Sequence, residues 1–220
     1  MSAQPPEKTA PSVEFQPQSK GERTRDRILD LTFEAVIRKG FAATSIEELV
    51  EAAGLTKSGF FYHFRDKADL ARQLIERYNA ESTRAFDALM LRARELSDDP
   101  LHAFLVFLKL YAEAMAEAAD AHPGCMVATV TFQDRAWDRS LRQTTLDSVA
   151  AWRGRLIDWL DEIAAAYPPK GKASAADLAE ALLAFTYGGL TLTKALGDPT
   201  AISRQVLMFR ETIRLHFLGA

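Results

Sequence analysis

Apolar side chains recur at steps of three and four from Arg23 almost to the C-terminus, and no useful stretch alternates apolar with polar positions. That period is the helical one, so the pattern predicts an all-α fold without strands. The first helix is predicted over about 21–39, with Ile28, Leu29, Phe33, Val36 and Ile37 as its buried stripe and Gly40 as its stop. Thr44-Ser45-Ile46-Glu47 reads as a capping box, in which the Thr44 hydroxyl accepts from the third helical amide and Glu47 reaches back. It opens a short helix over about 45–52 that Gly54 closes. Thr56 is the expected N-cap of a third helix, about 57–63. Asp66 caps a long fourth one with Leu70, Leu74 and Tyr78 on one face.

The second half reads as longer helices. Pro100 begins one that carries Leu101, Phe104, Leu105, Leu108, Tyr111 and Met115. His122-Pro123-Gly124-Cys125 breaks the chain, a helix follows over about 126–132, and a long one is expected over about 134–167 with Val149, Trp152, Leu156, Trp159 and Ile163 as its stripe. After the loop Pro168-Pro169-Lys170-Gly171, Ser174 opens the penultimate helix and Asp198-Pro199 the last. Residues 1–20 are rich in Pro, Gln, Ser and Glu without periodicity and read as a disordered arm.

One segment does not fit a bundle. Ala53 to Phe64, AGLTKSGFFYHF, sets small and polar residues before a run of aromatics. Two short helices joined by a tight glycine turn form a helix-turn-helix, whose second helix enters the DNA major groove N-terminus first. In that geometry Ser58 and Gly59 permit close approach, and Lys57 reaches a guanine edge or a phosphate. The Thr56 hydroxyl and the helix amides suit phosphate oxygens. Phe60 and Phe64, four apart, anchor the helix, while Tyr62 and His63 fall on the remaining face.

At this point the chain resembles a known family. TSIEELVEAAGLTKSGFFYHFRDKADL looks like the DNA-binding domain of TetR-type transcriptional regulators, and RTRDRILDLTFEAVIRKGFAAT fits that family's first helix. The likeness covers about Arg23 to Leu70 through Ile28-Leu29, Gly40-Phe41, Thr44, Gly54, Tyr62-His63-Phe64, and Lys67 with Leu70. It implies an all-helical homodimer with a three-helix DNA reader over 21–66, after the arm of 1–20. A ligand-sensing and dimerising helical domain then spans 67–220. The DNA contacts it points to are Thr44, Ser45, Thr56, Lys57, Ser58, Gly59, Phe61, Tyr62, His63 and Lys67. The family places a tyrosine where this chain has Phe61; the ring can pack on sugar or a thymine methyl but brings no hydroxyl.

Charge neither adds to this picture nor opposes it. The formal net charge is -3, and from Lys20 to Lys67 nine basic side chains stand against eight acidic ones, the cations lying at the two ends of the segment. The single cysteine, Cys125, excludes an internal disulfide. No run reaches the roughly 18 apolar residues of a membrane span, and the N-terminus lacks an apolar signal core. These features predict a soluble, cytoplasmic protein with no membrane partner. No nucleophile elbow, phosphate-binding glycine loop or zinc-protease helix motif is present, so neither catalytic residues nor a cofactor are expected. His63 has no second ligand at helical spacing. Asp120, His122 and Cys125 lie close in sequence but lack a fuller shell, so no metal is expected either.

The aromatics of the second half are mostly core, with room for an apolar inducer cavity between helices. Phe107, Tyr111, Cys125, Phe132 and Trp152 are its candidate lining, and the inducer's identity stays open. In the penultimate helix Leu178, Leu182, Phe185, Gly189, Leu192 and Leu196 form one stripe, beside a smoother one of Ala181, Ala184, Gly188, Thr191 and Ala195. The last helix adds Ile202, Val206, Phe209, Ile213 and Phe217. Together they predict a four-helix dimer interface through Leu182, Phe185, Gly188, Gly189, Leu192, Val206, Phe209 and Ile213. The expected function is a ligand-responsive regulator, a repressor released from a palindromic double-stranded DNA operator by a small-molecule inducer. The alternative is an apolar-ligand carrier or helical scaffold without a DNA role.

Overall fold

The computed structural model describes residues 19–121, 126–132 and 139–219, with the side chains of Asp120, Ala121 and Phe132 outside the description. Among the described residues the chain forms nine helices and no strand: α1 Lys20–Lys39, α2 Ile46–Ala53, α3 Lys57–His63, α4 Lys67–Leu96, α5 Pro100–Ala121, α6 Met126–Phe132, α7 Arg139–Ala166, α8 Ala175–Leu196 and α9 Ala201–Leu218. None of them is long and apolar enough to cross a membrane.

The ends of these helices follow local chemistry. Ser19 caps α1 in a capping box with Glu22, so the helix starts at the edge of the segment read as an arm. Gly54, in the left-handed region at φ 66°, turns the chain out of α2, and two residues later Thr56 accepts from the Gly59 amide to start α3. Asp66 accepts from the Asp69 amide at the start of α4. Ser174 and Asp177 form a second capping box on α8, and Gly197 ends that helix at φ 64°. The cap of α2 differs from the sequence reading. Ser45, not Thr44, is the N-cap and accepts from the Glu48 amide. Thr44 is buried, and its hydroxyl donates to the Gly40 carbonyl at 3.0 Å. The chain has to pack Thr44 inward against the end of α1, so the exposed hydroxyl next to it does the capping. At the other end of the chain Thr200 occupies the N-cap of α9, and Asp198 accepts from its amide and its hydroxyl.

Two apolar clusters form, and α4 serves both. The N-terminal cluster joins Ile28, Leu29 and Val36 of α1 to Leu49 of α2, Phe60 of α3, and Leu70, Leu74 and Ile75 of α4. Met126 and Val130 of α6 and Leu141 of α7 complete it. The larger cluster fills the space between α4, α5, α7, α8 and α9 around Phe104, Phe107 and Trp159. The Trp159 indole N–H donates to the Pro100 carbonyl at 3.2 Å, so this large buried ring leaves no donor unpaired.

Polar contacts lock the N-terminal unit to α4. Asp69 is nearly inaccessible and accepts from the Arg65 amide and the Gln73 side chain, each at 3.1 Å, and from the Arg72 guanidinium. Burial alone would raise its carboxyl; these donors outweigh burial and hold it below its ordinary value. Gln73 in turn accepts from Arg25 of α1 at 2.8 Å.

Candidate functional site

α3 is held by its apolar side and presents everything else. Phe60 and Phe64 are 0% and 1% exposed, with ring centroids 5.5 Å apart. On the opposite side Tyr62 is 83% exposed and Phe61 48%, while Lys57 and Ser58 are exposed and His63 is half-buried. Large rings left this open beside a lysine and small hydroxyl residues make this the candidate binding face, since a folded chain has no internal reason to leave them there. The Thr56 and Ser58 hydroxyl oxygens lie 3.0 Å apart at the start of the helix. Gly59 keeps this end open, because a Cβ there would sit 3.3 Å from Thr56 Oγ1.

A groove beside α3 gathers several of the residues that sequence reasoning singled out. It is lined by Thr44, Ser45, Lys57, Phe61 and Lys67, together with Glu47. Thr44 supplies wall but no hydroxyl, because that group is already bonded inward. Lys67 lies with its ammonium 4.7 Å from the Phe41 ring centre, and burial followed by the neighbouring Lys39 charge lowers its pKa. Glu47 is the residue that sequence reasoning missed here. It was assigned to the Thr44 backbone, but its carboxylate accepts from Lys57 Nζ at 2.8 Å. That hydrogen bond, then one from the backbone and then the Lys57 charge, hold the Glu47 carboxyl below its ordinary value. The pair is about 65% exposed on both sides. An exposed, solvent-screened ion pair is weaker than a bidentate contact to a base edge. Lys57 is therefore parked by Glu47 and free to exchange partners.

The larger unit encloses a cavity of about 300 Å³ among α1, α4, α5, α6, α7 and α8. Tyr111 and Trp152 line it as the sequence led us to expect. Phe107 does not: it is fully buried behind Tyr111, stacked on that ring at 5.8 Å. Cys125 and the side chain of Phe132 lie outside the described residues. The sequence reading also missed Phe33, Tyr78, Phe86 and Leu190 in the lining. Phe33 and Tyr78 stood in the helical stripes already assigned to core, and periodicity does not separate a core wall from a cavity wall.

The dimer candidates divide by exposure. Leu182, Gly189, Val206, Phe209 and Ile213 are buried within the chain's own core, and Phe185 is half-buried against Phe209. A Cβ on Gly189 would lie 2.9 Å from Ile202 Cα, so this glycine serves the crossing of α8 over α9 inside the subunit. The five buried residues have no free surface to give a partner. Gly188 and Leu192 do face outward, with Ala184, Thr191 and Ala195 beside them and Leu196 at 65% exposure. On α9 the outward apolar residues are Leu207, Met208, Leu215 and Leu218.

Comparison with known proteins agrees with this architecture. Residues 28–74 match the family model described as bacterial regulatory proteins, tetR family. Over 122 residues the chain is 28% identical to the transcriptional regulator AcuR of Cereibacter sphaeroides, covering 56% of this chain and 54% of that one. It is 35% identical over 57 residues to the HTH-type transcriptional regulator AcrR of Shigella flexneri, 26% of each chain. The chain thus spans about half the length of the first relative and about a quarter of the second. The crystal structure of a TetR-family transcriptional regulator from Agrobacterium tumefaciens superposes with a TM-score of 0.74 at 20% identity, covering 88% of this chain and 98% of that one, and so shares the fold. The matched segment is the one that builds the α2–α3 face, and the remaining helices follow the same architecture: over residues 28–74 the chain carries the domain of the tetR family of bacterial regulatory proteins, and beyond it the chain shares the fold of the Agrobacterium regulator.

Proposed function

We propose that this protein is a ligand-responsive transcriptional repressor that binds a palindromic operator as a homodimer and leaves it when a small molecule fills the interior cavity. The observation that carries the reading is α3, a short capped helix pinned by Phe60 and Phe64 with Lys57, Ser58, Phe61 and Tyr62 turned outward. In the major groove, Lys57 gives up Glu47 for a guanine edge or a phosphate, Tyr62 donates its hydroxyl to a phosphate, and Phe61 packs on sugar or a thymine methyl. The unit over 21–66 is the DNA reader, and 67–220 senses and dimerises. The outward face of α8 with Met208 and Leu215 of α9 supports dimerisation, because small residues allow helices of two subunits to approach closely. Two subunits then present two α3 helices about 34–36 Å apart, one turn of DNA. A hundredfold loss of operator affinity requires about 2.7 kcal/mol of differential ligand binding, within the range of allosteric coupling.

The test is selection of bound genomic fragments by the full-length protein, followed by gel shifts on the recovered sequence and sedimentation of the free protein. A palindromic fragment bound by a dimer is expected. No enrichment of any fragment would overturn the reading in favour of a carrier or scaffold.

A further inference from the structure

The cavity carries information about its occupant and about the helix that the occupant touches. Its lining includes Phe86, Leu89, Tyr111, Met115, Trp152 and Leu190, and among the described residues no Asp, Glu, Lys, Arg or His takes part. A charged molecule placed there would lose its hydration with no counter-charge in return, at a cost of several kcal/mol per ion. Polar groups are few and partly spoken for. The Trp152 indole N–H donates to the Thr83 hydroxyl at 3.3 Å, and the Thr186 hydroxyl donates to the Leu182 carbonyl at 2.8 Å. The wall is flat where Phe86 and Trp152 stack, 5.4 Å apart and within 7° of parallel, a surface that suits a ring. A volume of about 300 Å³ falls at the small end of ligand sites.

The second observation concerns Phe33. It belongs to α1, whose Ile28, Leu29 and Val36 are locked in the N-terminal cluster, yet its own ring lines the cavity and stacks on Tyr78 at 5.9 Å and 21°. On its far side the same two rings, with Ser82 and Ala85, border a surface groove edged by Asp30, Arg77 and Glu81. Arg77 bonds Asp30 at 2.5 Å, tying α4 to α1 at this edge. Among the described residues charge thus stands outside the cavity, and the wall between groove and interior is shared by α1 and α4.

We propose that the cavity binds an uncharged, ring-bearing molecule that rests directly on Phe33, so that the occupant touches the N-terminal unit without an intermediary. The proposal rests on the ligand-responsive reading for its purpose but not for its test. Full-length protein is titrated with two dyes of one skeleton, neutral N-phenyl-1-naphthylamine and its sulfonated counterpart 8-anilino-1-naphthalenesulfonate, following the dye fluorescence that Ala114→Trp, a cavity-filling change, abolishes. The neutral dye is expected to saturate this site, the sulfonate to bind about tenfold or more weakly. Phe33→Ala is expected to weaken the neutral dye about threefold or more, while Leu91→Ala, on an exposed side chain outside the lining, leaves it unchanged. Helix content of each variant is checked by circular dichroism. Equal binding of the two dyes, or neutral-dye affinity unmoved by Phe33→Ala, overturns the proposal. If the neutral dye behaves as expected but operator affinity does not change with the site filled, the site stands and the ligand-responsive reading falls. If the two dyes bind equally, or Phe33→Ala leaves the neutral dye unmoved, while another compound releases operator, the reading stands and the proposal falls.

Discussion

Removing the Asp69 carboxylate should loosen the junction between α1, the α3–α4 turn and α4. Asp69→Ala strands the Arg65 amide and the Gln73 side-chain amide, both of which donate to the carboxylate at 3.1 Å in a nearly inaccessible setting. Arg72 is discounted, because it is 44% exposed and keeps Glu76 at 3.2 Å. Two lost hydrogen bonds to a buried charged acceptor, at about 1–1.5 kcal/mol each after partial rehydration, come to about 2–3 kcal/mol. For a chain of 220 residues this lowers the melting temperature by about 4–12 °C. The pH dependence carries a sign. The folded carboxyl sits below its ordinary value of 3.8, so its stabilisation is fully present above that value and is lost as pH falls through the lower folded one. The gap in melting temperature between wild type and Asp69→Ala should therefore hold from about pH 7 to pH 5 and narrow below about pH 4. Thermal melts by circular dichroism, with Asp158→Ala on an exposed face of α7 as the control, measure this directly. A gap under about 2 °C at neutral pH, or one that widens in acid, would refute the assignment of Asp69 as a satisfied buried anion.

Other expectations follow from the same contacts. Lys57→Ala should weaken operator binding by about 1–3 kcal/mol if the ammonium reads a base, or lower affinity on all DNA and reduce the salt slope by about one unit if it meets a phosphate; filter binding across salt concentrations separates the two. Glu47→Gln frees Lys57 of an exposed partner and should raise DNA affinity by up to about fivefold; a drop in affinity in the same assay would count against the parked-lysine picture. Gly188→Trp, where a Cβ meets nothing within 4 Å, should keep the fold and lose the dimer by sedimentation. Gly189→Leu, one position on, collides with the Ile202 backbone and should lower the melting temperature, at a cost of about 1–3 kcal/mol.

Helical periodicity located several elements well because they begin on a residue with its own local chemistry, such as Thr56, Asp66, Pro100 and Ser174. It was weaker on what covers each face. Val206, Phe209 and Ile213 share a stripe with the spacing expected of any packed helix, and only the crossing of α8 and α9 shows that their own subunit consumes them. The choice between Thr44 and Ser45 as cap was open for a similar reason, since both hydroxyls suit the role and the inward turn of Thr44 is a tertiary fact. Phe107 and Tyr111, four apart on α5, were read as equivalent; packing puts one ring behind the other, and only Tyr111 meets the cavity. The α3 face was legible because its oddity is compositional: no core or solvent helix needs Lys57-Ser58-Gly59 followed by three exposed or half-exposed rings.

One consequence of α4 is mechanical. Its 30 residues contain neither glycine nor proline, so it is a stiff rod of about 45 Å, with Leu70 and Leu74 seated in one cluster and Phe86 and Ala93 in the other. Such a rod is a lever arm. The cavity meets α4 around Phe86, about 28 Å from the Lys67 end, so a tilt of about 7° there carries that tip through about 3.5 Å. The rise of one DNA base step is about 3.4 Å. If α3 reads DNA as proposed, a tilt of this size is already large enough to put it out of register by a whole base step.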